Sequence, residues 1–301
     1  MNNGDIIAFP TETVYGVGGH CLNKEAAKKV FAAKMRPLDS PLLVHVSTIE
    51  QVNELVNTIP EAAKKLMNEF WPGPLSIILP SKETVPPEVT GGKKTVGLRM
   101  PAHPVAIALI NKTGPLAATS ANLSGRPSPV TAEHVKNDLE GRIPIILDAG
   151  PTGVGVESTI VDLSTSETTI LRHGGIDEEK IRECLEAEYI NVETQDSSYQ
   201  TLIKIILAKN MNDFYKLIEN NIRNKKKIGV VHNNIINTNS IKNVYNNYLI
   251  NLEKNTGELF SLLRDAETKK VEVLIFAPLP EDKFGLSSAL IERIRKATSK
   301  E

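Results

Sequence analysis

The chain has 301 residues, long enough for two domains, and its 35 Lys+Arg against 36 Asp+Glu leave a formal charge of -1. Residues 1–175 hold 16 cations and 17 anions and the remainder 19 of each, so no part carries a field that would draw nucleic acid or a membrane surface. Any bound anion must therefore meet a few placed cations. Cys21 and Cys184 stand far apart and lack histidine or cysteine neighbours at metal spacing, which indicates neither a disulfide framework nor a zinc site. The start shows no basic-apolar leader and no apolar run reaches membrane-spanning length, so the expectation is a soluble cytoplasmic protein with no membrane partner.

Sixteen of 18 prolines fall at or before Pro151 and sixteen of 19 glycines at or before Gly175; beyond that Asn, Lys and Ile dominate. The shift predicts two differently built domains: 1–186, a linker over 187–200 that lacks glycine, proline or a clear period, and 201–301.

In the first part short apolar stretches alternate with capped helical ones, the signature of an α/β or α+β fold. Strands are expected at Asp5–Phe9, Leu42–Val46, Leu75–Leu79, Thr95–Met100, Leu116–Ala118, Ile145–Asp148, Thr159–Leu163 and Thr169–Arg172. Asn23 caps a helix running through Ala33. Ser47 with Glu50, and Thr58 with Glu61, read as capping boxes, and Pro104 and Pro129 sit where helix starts tolerate proline. The stretch from Phe9 through Gly19 leaves its strand with hydroxyls, a carboxylate and a phenol before glycines at 16, 18 and 19, and reads as a loop. In the second part Thr201–Leu207, Lys227–Val231 and Val271–Phe276 read as buried strands. Helices around Asp213–Ile222, Gly257–Glu267 and Ser287–Thr298 alternate with them, in outline a small parallel-sheet unit. The Asn-rich run from His232 to Asn251 reads as a loop with room for a short helix.

Lys34-Met35-Arg36-Pro37 ends the first predicted helix. Proline biases Arg36 out of helical geometry, so the two cations project from the helix end. They either face an anion or only complement the negative end of the helix dipole. The run Thr119-Ser120-Ala121-Asn122-Leu123-Ser124-Gly125-Arg126-Pro127-Ser128 packs hydroxyls, an amide and backbone donors into ten residues, which suits phosphate or ribose but equally a turn that caps the next helix. Arg99 and Arg172 stand at strand ends, placed either to project into a cleft or to remain solvated. His45 interrupts an apolar strand and alone reads as a core residue. No G-x-S-x-G elbow, Walker A loop or metal-ligand cluster is present, which disfavours a covalent serine hydrolase. A third small-residue loop, Gly150-Pro151-Thr152-Gly153-Val154-Gly155, precedes Glu157-Ser158-Thr159. Four cations, these three hydroxyl-rich loops and no metal cluster point to transfer at a phosphate of a nucleotide, with magnesium arriving on the nucleotide.

Six ordered stretches, Phe9–Gly18, Lys34–His45, Phe70–Leu75, Leu98–Pro101, Ser120–Ser128, and Glu157–Asp162 with Leu171–Gly174, together resemble the YrdC-type L-threonylcarbamoyladenylate synthase family. Leu259–Arg264 and Gly285–Arg293 resemble the extra carboxy-terminal domain of its longer, two-domain branch. The resemblance implies a twisted mixed sheet with helices forming a concave pocket, plus a smaller Rossmann-like three-layer α/β domain. It implies a nucleotidyltransferase that joins L-threonine, bicarbonate and ATP, with Mg2+, into threonylcarbamoyl-AMP and pyrophosphate for tRNA threonylcarbamoyladenosine modification. By that resemblance Arg36, Ser40, Thr95, Ser120, Asn122, Ser128 and Arg172 contact ATP, and Thr13, His45, Arg99, Ala118 and Ser158 surround threonine. Lys34 and Arg36 are the catalytic pair, and other tRNA-modification proteins are the expected takers of the product. Two departures stand out: Ser40 replaces a common Asn, and residues 176–205 lack the Pro-Gly and Tyr-x-His-Tyr-x-Pro-like segment that relatives carry. The competing readings are an RNA-binding module, with direct tRNA contact, and a nucleotide-binding relative without turnover.

Overall fold

The computed structural model describes residues 4–194, 201–232, 244–250, 257–279 and 286–298. It divides into two compact units, Met1–Ser124 with Ser128–Gln195, and Gly125–Pro127 with Asp196–Glu301.

The first unit opens with β1 (Ile7–Phe9) and β2 (Gly16–His20), followed by α1 (Lys24–Lys34) and β3 (Leu43–His45). Then come α2 (Ile49–Leu55), α3 (Glu61–Phe70), β4 (Leu75–Pro80), α4 (Pro87–Thr90), β5 (Thr95–Arg99), α5 (Pro104–Thr113) and β6 (Leu116–Ser120). It finishes with α6 (Ala132–Leu139), β7 (Thr159–Asp162), β8 (Thr169–Arg172), α7 (Glu178–Leu185) and β9 (Asn191–Val192). The strands form one mixed sheet in the order β1-β2-β6-β3-β5-β4-β7-β8-β9. Parallel pairs join β3 to β5, β4 to β7 and β8 to β9, and the remaining neighbours run antiparallel.

Register decides which side chains share a face, because successive residues of a strand point to opposite sides. Ala8, Val17, Val44, Ile77, Leu79, Val96, Leu98, Ala117 and Val161 fall on one side. There they join the main core with Val30 and Phe31 of α1, Val52 of α2, Leu66 of α3, Val135 of α6 and Ile181 of α7. The other side presents Ile7, Phe9, Leu116 and Ala118, covered by Ala106 and Ile110 of α5. Leu43, Ile78 and Ile160 lie on this side too, among small or polar positions: Gly16, Gly18, Ser120, His45, Gly97, Arg99 and Ser76.

Several local expectations are corrected. The glycine-rich stretch before His20 is not a loop but β2, paired on both edges. A Cβ on Gly18 would lie 2.5 Å from the Ala117 carbonyl oxygen and 2.6 Å from the Ala118 Cβ, so glycine here marks close strand approach rather than a turn. Ile145–Asp148 forms a single bridge, Ile146 to Ala8, with backbone bonds from Ala8 to Ile145 and from Leu147 to Ala8. Pro144 precedes it and Ile145 is exposed, so the stretch has too little to bury to become a strand. Asn23 does cap α1 through the amides of Glu25 and Ala26. The Ser47 box shifts by one: Thr48 is the cap and accepts from the Gln51 amide, while Gln51 Oε1 accepts from the Ser47 amide. The Thr58 box does not form, since Pro60 takes the cap position of α3. Pro104 does open α5, whereas Pro129 lies ahead of Thr131, the cap of α6.

The stretch 187–200 contains β9, which pairs with β8; residues 195–200, including Tyr199, lie outside the described residues. The second unit holds β10 (Lys204–Leu207), α8 (Met211–Arg223), β11 (Ile228–His232), β12 (Asn246–Leu249), α9 (Gly257–Thr268), β13 (Val273–Phe276) and α10 (Leu286–Ala297). Its four strands run parallel in the order β10-β13-β11-β12. Phe214 and Ile218 of α8 cover Ile228, Val230, Val273 and Ile275 on one face. Leu274, Phe276 and Val231 on the other face are buried as well, the pattern of a parallel sheet between two layers. Asn246–Leu249, expected as loop, is the edge strand β12; its alternating half-buried and exposed residues hide it from a search for apolar runs. Residues 233–243 of the same Asn-rich run, and Gly285, lie outside the described residues.

Candidate active site

The small-residue face of the first sheet gathers most of the expected residues. His45 and Arg99 are register partners on β3 and β5, and Ala118 pairs with both Gly18 and Leu43. Ser120 ends β6 opposite Gly16, and Thr95 begins β5 opposite Pro80. Farther along, Arg172 of β8 pairs with Ile160, itself the partner of Ser76.

Side-chain bonds tie this face to the loops above it. Arg99, nearly fully buried, donates from Nη1 to Thr13 Oγ1 at 2.8 Å and from Nε to the Gly73 carbonyl at 3.2 Å. Glu12 Oε1 lies 2.6 Å from Arg99 Nη2, yet neither Glu12 oxygen nor that nitrogen has a well-aligned hydrogen bond. The pair is thus held by charge and proximity rather than alignment. The loop that precedes Gly155 is fastened alongside, its Val154 and Gly155 amides donating to the carbonyls of Glu12 and Thr13. Tyr15, fully buried, pins that loop by donating to the Gly150 carbonyl at 2.7 Å.

A second group is built around Ser158. Its hydroxyl lies 2.7 Å from that of Ser76 and accepts from Arg172 Nη2 at 3.1 Å, while its carbonyl accepts from Arg172 Nε. Next to it, Glu157 Oε1 accepts from the Ser128 hydroxyl at 2.6 Å, joining the loop after β6 to the start of β7.

The Lys34-x-Arg36 pair is split. Met35 adopts the left-handed conformation that ends α1, which turns the two side chains apart. Lys34 is buried, its ammonium donating to the carbonyls of Ser120 and Asn122, the latter at 2.6 Å, and to Asn122 Oδ1 at 3.4 Å. A buried ammonium in that cage of oxygens shapes the loop after β6. The Ser124 amide reinforces it by donating to the Lys34 carbonyl. Arg36 instead reaches the rim, donating from Nη1 to Thr119 Oγ1 at 2.8 Å and from Nη2 to the Pro41 carbonyl. Ser40 lies half-buried in the turn against which Gly91 packs.

His45 is buried against the edge of Phe9, and burial, then the Arg99 charge, lowers its imidazole from 6.5 to about 3. It is neutral at any physiological pH, and its Nδ1 has no partner. Burial raises the Cys21 thiol to about 12 and pushes the half-buried Cys184 up, so neither environment favours a thiolate. Among the described residues no group of three His, Cys, Asp or Glu could hold a metal, and no helix is long and apolar enough to cross a membrane.

Four residues of this network, Glu12, Ser76, Thr119 and Glu157, were not singled out from the sequence. Three sat within stretches that drew attention for other members. The signal for Ser76 was a lone hydroxyl in the apolar run Leu75-Ser76-Ile77-Ile78-Leu79.

A mixed sheet packed on helices through its main core, with arginines, an imidazole and hydroxyls gathered on its other face, defines an α/β protein suited to hold a small anionic substrate. The Sua5/YciO/YrdC family model, described as telomere recombination, matches residues 1–174, and the model of the threonylcarbamoyl-AMP synthase C-terminal domain matches residues 176–299. The threonylcarbamoyl-AMP synthase of Bacillus subtilis is 38% identical over 314 residues, covering 99% of this chain and 90% of that protein. The Pyrococcus abyssi enzyme of the same name is 36% identical over 317 residues, covering 99% and 92%. The crystal structure of P. abyssi Sua5 complexed with L-threonine superposes with a TM-score of 0.88 at 35% identity, covering 98% of this chain and 91% of that one. This chain belongs to the Sua5/YciO/YrdC family and, with both parts in order, to its two-domain Sua5 type.

Proposed function

We propose that this chain makes threonylcarbamoyl-AMP from L-threonine, bicarbonate and ATP, releasing pyrophosphate, and so supplies tRNA threonylcarbamoyladenosine modification. The observation that carries this reading is the make-up of the first sheet: the main core lies on one face, and the other, beside its smaller apolar cluster, offers two arginines, a neutral imidazole and several hydroxyls. Arg99, Thr13, His45, Ala118 and Ser158 line the threonine position, and Ser40, Thr95, Ser120, Asn122, Ser128 and Arg172 the ATP position. Threonine nitrogen first takes up the carboxyl of bicarbonate as a carbamate with loss of water. A carbamate oxygen then attacks the α-phosphorus, and pyrophosphate leaves. Arg36 and Arg172 offset the charge that develops there, while Lys34 holds the nucleotide loop in shape from beneath. Magnesium suits this donor set only as a companion of the nucleotide, held by phosphates and water and neutralising their charge.

The cytoplasm is the proposed compartment, since tRNA and ATP are met there. The boundaries 1–186, 187–200 and 201–301 are kept as the proposed domain division, and limited proteolysis should cut within 187–200. Pyrophosphate release with ATP and magnesium, measured with and without threonine and bicarbonate, tests the whole reading. Dependence on both supports it. Nucleotide binding without turnover, or RNA affinity lost on substituting Lys34 and Arg36, would favour the other two readings.

A further inference from the structure

Taking threonine as the substrate, the Glu12–Arg99 pair has a consequence for what the site accepts. Arg99 is held at three points, by the Gly73 carbonyl, the Thr13 hydroxyl and the Glu12 carboxylate. Two contacts are well-aligned hydrogen bonds; the third, at 2.6 Å, is not, and both buried carboxylate oxygens of the half-buried Glu12, with Arg99 Nη2, keep unused bonding capacity. A buried ion pair in this state is easily exchanged for better-aligned partners. A ligand carboxylate on Arg99 would take over the charge compensation that Glu12 now supplies. Glu12 would then be a buried anion with no counter-charge, which is strongly unfavourable unless the ligand brings a cation of its own. A free amino acid brings both groups on one carbon.

We propose that Glu12 and Arg99 form an internal ion pair that a zwitterion replaces, its carboxylate going to Arg99 and its ammonium to Glu12. Glu12 is then a specificity-determining residue for the free amino group, rejecting hydroxy acids and N-acylated or peptide-linked threonine before chemistry begins. The neighbouring groups agree: Thr13 and His45, both buried beside Arg99, are neutral, so neither replaces the charge of Glu12.

Calorimetric titration tests this with L-threonine and with 2,3-dihydroxybutyrate, which keeps the carboxylate and both substituents but carries hydroxyl for ammonium. The unaltered protein should bind L-threonine at least tenfold more tightly than the hydroxy acid. Glu12→Gln should weaken L-threonine tenfold or more while leaving the hydroxy acid within about threefold. Equal weakening of both ligands would mean that Glu12 merely positions Arg99, and unchanged threonine affinity would mean that it does neither; each overturns the inference. Should Glu12→Gln not fold, the unaltered protein still decides, because equal affinity for the two ligands overturns the inference alone. Failure of the unaltered protein to bind threonine at all overturns the functional reading beneath it.

Discussion

His45 and Arg99 stand opposite each other on adjacent parallel strands, and this places a neutral imidazole and a fixed cation side by side in the core. Burial is the larger reason that His45 resists protonation, with Arg99 adding to it. In the unfolded chain the imidazole takes a proton near 6.5, whereas in the folded chain it does so only near 3. Between those values the unfolded state binds more protons, so stability falls as pH falls; above 6.5 this contribution is complete. Chemical denaturation should therefore show about 2 kcal/mol less stability at pH 5 than at pH 7 from this group. His45→Gln should remove that difference, and an unchanged slope would assign the pH dependence elsewhere.

Lys34 and Arg36 should separate by the kind of damage their loss does. Lys34→Met leaves the carbonyls of Ser120 and Asn122 without their buried donor, which should cost about 3 kcal/mol in a denaturation curve. Arg36 is only half-buried, so Arg36→Ala should cost about 1 kcal/mol. Its pyrophosphate release should nevertheless drop by roughly 10²- to 10³-fold, the loss expected for one donor at developing charge. Near-normal release by Arg36→Ala would remove it from the reaction.

Ser76 is fully buried and spends its hydroxyl on that of Ser158, so it acts through Ser158 rather than on a substrate. Ser76→Ala should leave the Ser158 hydroxyl fixed by Arg172 alone, with freedom to rotate. The expected result is a KM for threonine raised by about tenfold, one hydrogen bond's worth, with the KM for ATP within about twofold. Parallel changes in both would point to general loosening of β4 instead.

What the sequence disclosed, and what it hid, follows from how locally each feature is determined. Ten of the eleven expected strands form, and those built on apolar runs such as Leu75–Pro80 and Val273–Phe276 lie close to their expected bounds. The helix end at Lys34 was legible because Asn23 and Pro37 are local signals. β2 was not, since its central Gly18 answers to Ala117 and Ala118, about a hundred residues away. For the same reason the role of Lys34 escaped: a cation at a helix end looks outward in sequence, but the oxygens of Ser120 and Asn122 draw it in. The sharing of one face by His45, Arg99, Ala118 and Ser120 depends on strand order, which no local pattern encodes.

Gly18 carries the last prediction, because it sets how closely β2 approaches the strand that bears Ala118. Gly16 beside it leaves room for the Phe9 ring, and any Cβ at position 18 meets the backbone and Cβ of β6 rather than a flexible side-chain end. The strands must then move apart or the pairing of Gly18 with Ala118 must break. Gly18→Ala should therefore cost about 1–3 kcal/mol, in the range of overpacked cores, and should displace Ala118 enough to weaken threonine binding. Gly153 is the control: a Cβ there has no neighbour within 4 Å, and Gly153→Ala should stay within about 0.5 kcal/mol. Thermal denaturation and threonine titration of the two variants side by side check both halves, and equal stability for the pair would show that β2 can yield.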